Sequence, residues 1–136
     1  MAYWIMKSEP DAFSWDDLVR DGVTEWDGVR NAQAAIHLRA MRPGDEALFY
    51  HSNIGLQAVA VMKVSRAAIP DGPEDTKWVK VQMKPVRPLP RPVTLKAMKA
   101  EPRLAEMAML RQSRLSVSPV TPEQWGVLLE MAGAGA

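Results

Sequence analysis

Four of the eight residues from Pro85 to Pro92 are proline, and no helix can be drawn through them. Proline lacks an amide proton and its ring collides with the preceding helical turn. The stretch must therefore run as an extended, non-helical connection, and the chain divides around it.

Upstream, strands alternate with short helices. Tyr3 to Lys7 is rich in aromatic and β-branched residues and opens the chain as a buried strand. Pro10 ends it. Ser14 is placed as a helix N-cap, with Asp17 at the capping-box position and Phe13 and Leu18 spaced as a hydrophobic staple. Asp21-Gly22 stops that helix. Asn31 is a second N-cap candidate, for a helix from about Ala32 to Met41, which Arg42-Pro43-Gly44-Asp45 terminates with turn chemistry. Glu46 to His51 is the next strand, and Leu56 to Val64 is a nearly continuous apolar run suited to a central strand. From Trp78 to Lys84 the pattern alternates: Val79, Val81 and Met83 point one way, Trp78, Lys80, Gln82 and Lys84 the other.

Downstream, two short helices are expected near Leu95 to Lys99 and Arg103 to Met109, then a final strand from Ser113 to Val117. Thr121-Pro122-Glu123-Gln124 combines a cap, a proline at the first helical position and a glutamine at the third, and starts a last helix. Strands scattered among short helices indicate one α+β domain over residues 1–136, built on a small mixed sheet or barrel rather than a doubly wound sheet.

Composition narrows the chemistry. With 136 residues, 47% of them apolar, the chain can bury one core without metals or disulfides. It has no cysteine and two histidines, His37 and His51, which leaves no thiol nucleophile and no convincing metal centre. No cofactor is implied. No apolar run approaches the roughly 20 residues that span a bilayer, and the first residues lack the layout of a signal peptide. A soluble, cytoplasmic, monomeric protein that does not engage membranes is expected.

The net charge is only +1, but it is unevenly distributed: residues 1–76 carry a net −5, residues 77–116 a net +8 and the remainder −2. Such asymmetry can build one positive face for nucleic acid, or be mixed into an ordinary solvated surface by folding.

Enzyme signatures fail in turn. There is no glycine-rich phosphate loop. Asp16 and Asp17 are adjacent on a helix and so do not face each other; they suit its first turn. Ser8 and His51 can be drawn as a nucleophile and base of a small hydrolase, but nothing in their spacing requires it and no orienting acid is evident. Binding is favoured over catalysis.

Four segments carry a resemblance to a known family: Tyr-Trp-Ile-Met-Lys-Ser-Glu-Pro at the start, Trp-Asp-Gly-Val-Arg-Asn at Trp26 to Asn31, Phe-Tyr-His-Ser-Asn at Phe49 to Asn53, and Arg-Gln-Ser-Arg-Leu-Ser-Val at Arg111 to Val117. In order and spacing, together with Arg91-Pro92-Val93-Thr94-Leu95, they resemble the EVE domain. That resemblance implies a PUA-like barrel surrounded by short helices, related to modules that read methylated adenine. It also implies non-catalytic binding of a modified nucleobase, with 5-methylcytosine and its oxidised forms the favoured ligands. One departure stands out. Where the family usually has an aromatic residue and then Gln-Ala-Arg-Asn, this chain has Ala32-Gln33-Ala34-Ala35-Ile36.

A base inside a duplex hides its faces, so a reader must flip it out and stack it on something flat. Trp26 and Tyr50 are the preferred walls, with Trp15 further back, although large aromatics in so small a domain serve the core more often than a cage. Ser8, Asn31, Ser52, Asn53 and Ser116 are the candidates for the polar edge of the base, Asn31 also being able to cap its helix. Lys7, Arg30 and Arg114 are candidate phosphate or edge contacts, the alternative for Arg30 being an ion pair. Lys80, Lys84 and Arg87 belong to the basic stretch and would add sequence-independent affinity. The partner is then DNA or RNA carrying a modified base. The alternatives are a general RNA-binding module of PUA-like type and a protein-interaction module that docks through its proline-rich segment.

Overall fold

The computed structural model describes residues 1–74 and 76–134; the last two residues of the expected domain lie outside the described residues. Six strands form one mixed sheet in the order β2-β5-β4-β3-β1-β6: β1 Tyr3–Ser8, β2 Thr24–Trp26, β3 Glu46–His51, β4 Gln57–Pro70, β5 Val79–Thr94 and β6 Val117–Val120. Neighbours are antiparallel except β1 and β3, which run parallel from Tyr3↔Glu46 to Ser8↔His51. The helices are α1 Trp15–Asp21, α2 Ala32–Ala40, α3 Leu95–Ala100, α4 Ala108–Arg111 and α5 Pro122–Met131, with a 3-10 turn at Pro102–Leu104.

The strand alternation sorts the core into two layers. Trp4 and Met6 of β1 and Phe49 of β3 face one side, where Leu18 of α1 and Ala34 and Leu38 of α2 cover them. Ile5, Leu48 and Tyr50 face the other, under Met98, Leu104, Met107, Trp125 and Leu128 from the later helices. The α+β class is as expected, but no closed barrel forms among the described residues. Helices cover both faces, and the strand order ends on β2 and β6 instead of joining them.

The caps follow the side-chain chemistry. Ser14 and Asp17 form a reciprocal capping box, and Gly22 closes α1 in the left-handed conformation at φ 76°. Asn31 accepts from the Ala34 amide, and Thr121 with Gln124 repeats the box on α5. Asp45, turned inward after Gly44, accepts from the Ala2 amide at 3.1 Å, Trp4 Nε1 at 3.2 Å and the Arg42 amide at 3.0 Å, fastening β1 to the turn before β3.

Three local expectations change. Pro85 to Pro92 is not a free connection: it is the second half of β5, paired with β4 through Met62↔Pro85, Val61↔Arg87 and Ala60↔Pro88, with a register shift between Val61 and Met62. Among the described residues β2 covers β5 only from Val81 to Met83, so the prolines stand where the outer edge needs no amide donor. The final strand lies at Val117–Val120 rather than Ser113–Val117. It is an edge strand that tolerates Pro119, while Ser113 to Ser116 is loop. The expected helix from Arg103 to Met109 is split, with a 3-10 turn first and α4 beginning only at Ala108.

Candidate nucleic-acid interface

Because β1 and β3 are parallel, they end side by side at Ser8 and His51, and the Ser52 amide donates to the Ser8 carbonyl at 2.9 Å. The loop entering β6 reaches the same end, where the Lys7 amide donates to the Ser116 carbonyl at 2.9 Å. Two hollows open there, one on either side of Lys7 and Ser116, which line both.

The first is a cleft of about 430 Å³ between β1 and the segment from Thr24 to Asn31, with Phe13 as a further wall. Trp26, 9% exposed, lines it and is held from behind by Phe49, edge-on at 5.5 Å and 80°. Phe49 also meets Phe13 at 6.4 Å, Trp15 at 6.1 Å and His51 at 5.5 Å. One buried phenyl ring thus sets the positions of both aromatic walls, while Trp15 serves as a buttress behind them.

The polar groups of the cleft are partly committed. The Ser8 hydroxyl donates to the Phe13 carbonyl at 2.6 Å, which leaves its oxygen able to accept. Asn31 spends its carbonyl on the α2 cap at 2.9 Å and keeps its amide group to donate. Lys7 Nζ donates to the Ser113 carbonyl at 2.8 Å, and burial holds its ammonium below the usual lysine range. Asp71, in the β4–β5 turn, fixes the outer rim: it accepts from the Gly28 amide at 2.8 Å and from Arg30 at 3.0 Å. Those two contacts, the backbone one first, hold its carboxyl below the usual carboxylate range.

The second hollow, about 690 Å³, lies toward the other face of the sheet, with Tyr50, Ser52, Asn53, Lys99, Ser113 and Arg114 among its walls. The structure therefore separates residues that the sequence grouped. Trp26 and Tyr50 are on opposite faces of the sheet and do not form two walls of one cage. Ser8, Asn31 and Arg30 go with Trp26; Ser52, Asn53 and Arg114 go with Tyr50; Lys7 and Ser116 belong to both. Arg30 is engaged with Asp71 and lies 5.5 Å from the Trp78 ring. Lys80 pairs with Glu25, and neither Lys80 nor Lys84 lines either hollow.

Ser8 and His51 do not assemble a dyad. The Ser8 proton goes to Phe13, and His51 Nε2 accepts the Trp15 amide at 3.2 Å. Other contributors carry no site signal in the sequence: Phe13 reads only as a staple, and Thr24, Glu25, Lys99, Met109 and Leu110 lie outside the family motifs.

A model of the EVE domain matches residues 2–131. The chain belongs to the EVE domain family. Human thymocyte nuclear protein 1 is 34% identical to this EVE domain over 96% of the chain and 73% of its own length. A crystal structure of an Agrobacterium tumefaciens protein is 42% identical with a TM-score of 0.95, covering 100% of this chain and 97% of that one. The human THYN1 protein, crystallised with 5-methylcytosine-containing DNA, is 33% identical with a TM-score of 0.91, covering 97% of this chain and 98% of the other. No helix of the described residues is long and apolar enough to cross a membrane. No group of acidic or histidine side chains among them is placed to hold a metal ion.

Proposed function

We propose that this EVE domain is a non-catalytic reader of a modified cytosine in DNA, taking the flipped base into the Trp26 cleft. The observation that carries this reading is a cleft with one flat indole wall and a polar rim in a chain so close in fold to a human protein crystallised on 5-methylcytosine DNA. The base stacks on Trp26, a contact worth about 1–3 kcal/mol. The remaining polar capacity suits the edge of cytosine, whose amine donates and whose ring nitrogen and carbonyl accept. The Ser8 oxygen and the Asp27 carboxylate can accept hydrogen bonds; the Asn31 amide and Lys7 can donate them.

The test is a titration of the purified domain with a short single-stranded DNA containing one central cytosine, plain or 5-methylated, at fixed salt. Tighter binding of the methylated strand supports the reading. Equal affinity for both overturns it, and if that shared binding also weakens steeply with salt it points to a general nucleic-acid binder.

A further inference from the structure

The Tyr50 groove has no part in the base-reading cleft, yet it is built to receive a ligand. Tyr50 is 2% exposed and lines the groove. Among the described residues its hydroxyl makes no hydrogen bond, and it is not one of the sealed unpartnered atoms, which are His37 Nε2 and Ser118 Oγ. A phenol on the wall of a hollow, with no protein partner among the described residues, can donate to a bound acceptor. Burial also pushes its pKa up, so it keeps its proton at neutral pH.

The surroundings indicate the charge of that acceptor. Lys7 Nζ stands 5.8 Å from the centre of the Tyr50 ring. Lys99 from α3 and Arg114 from the loop before β6 line the same groove, and neither forms an ion pair among the described residues. Against these three cations stands one lining carboxylate, Glu9. Leu56, Leu95, Met109 and Leu110 add apolar lining. An anionic group attached to something flat or apolar fits this arrangement. At about 690 Å³ the groove has the size of a small-molecule site and more room than a lone inorganic anion needs.

We propose that the Tyr50 groove is a second nucleotide subsite, holding the phosphate and sugar of the nucleotide adjoining the one whose base enters the Trp26 cleft. The proposal rests on the base-reading assignment for the order of the two sites. Lys7 and Ser116 line both hollows, so a strand that leaves the cleft over Lys7 enters the groove directly. Its phosphate then accepts from the Tyr50 hydroxyl between Lys99 and Arg114.

The experiment compares 5-methyl-2′-deoxycytidine, dinucleotides with thymidine on either side of 5-methyldeoxycytidine, the same dinucleotides without the methyl group, and inorganic phosphate. Each is titrated against the wild type, Tyr50→Phe and Lys99→Ala, with thermal melting to confirm folding. One dinucleotide is expected to bind roughly tenfold more tightly than the nucleoside, the scale of a charge-assisted hydrogen bond. Either substitution is expected to remove most of that gain and leave nucleoside affinity as it was. A dinucleotide no better than the nucleoside, or a gain that survives both substitutions, overturns the subsite. So does Tyr50-dependent binding of inorganic phosphate with no dinucleotide gain, which marks a small-anion site instead. The two claims separate cleanly: methyl preference reports on the Trp26 cleft, and Tyr50 dependence reports on the groove.

Discussion

The indole of Trp26 meets the ring of Phe49 edge-on, 5.5 Å between centroids and 80° between planes. Trp26 is therefore a wall of the cleft and a piece of the core at once. A wall residue that stood free of the core could be cut to alanine with the fold intact. The packing says otherwise, since emptying a site of this kind costs about 3–5 kcal/mol. Trp26→Ala is expected to lower the melting temperature by on the order of 10 °C. Trp26→Phe should stay within a few degrees and weaken binding of the methylated strand. Thermal melts beside binding titrations check this, and an unchanged melt for Trp26→Ala would contradict the packing.

Asp45 is 4% exposed and accepts three hydrogen bonds. Asp45→Ala strands the Trp4 indole proton and two amides, and is expected to cost about 3–5 kcal/mol. Asp45→Asn retains one acceptor and should cost less. Urea unfolding is the measurement, with the midpoint moving and the slope constant.

Burial holds the His37 and His51 imidazoles below their ordinary pKa, with Asp16 partly opposing the effect at His51. On lowering the pH past roughly 6.5, the unfolded chain takes up protons first. Stability is then full above that point and falls as the solution becomes more acidic. Protonation of His51 Nε2 also removes the acceptor for the Trp15 amide. The melting temperature is expected to drop between pH 7.5 and 5.5, and the double variant His37→Gln, His51→Gln to flatten that slope. Carboxylates held low by their contacts, such as Asp71, act only in a more acidic window. A flat wild-type profile would contradict the assignment.

The salt dependence of single-stranded DNA binding separates groove cations from the rest. Each phosphate contact contributes a slope of about −0.7 in log K against log salt. Lys99→Ala and Arg114→Ala should each reduce the slope by about that amount. Lys84→Ala, at a position outside both hollows, should leave it unchanged. Equal effects from all three would mean a diffuse basic surface.

What was legible in the sequence was mostly local. Ser14, Asn31 and Thr121 cap the helices expected of them because capping depends on a side chain and the next three residues. Side-chain composition placed β1, and alternation the first half of β5, for the same reason. The misses are tertiary. Thr24–Trp26 is too short to show a period and is a strand only because β5 runs beside it. The Pro85 to Pro92 stretch is a strand only because its outer edge is largely unpaired. The family motifs identified most of the side chains that line the two hollows. They did not show that Trp26 and Tyr50 sit in different ones, since that depends on which side of a strand each residue faces.

Phe49 and Tyr50 are consecutive, and the pleat sends them to opposite faces: one props the indole wall, the other floors the groove. A single insertion or deletion in β3 before them would exchange the two supports and ruin both hollows together. The alternation of β3 therefore couples the two hollows through chain length. Divergence among such domains can proceed by replacing rim residues one hollow at a time, so that taste for the base and grip on its neighbour drift independently on an unchanging ruler.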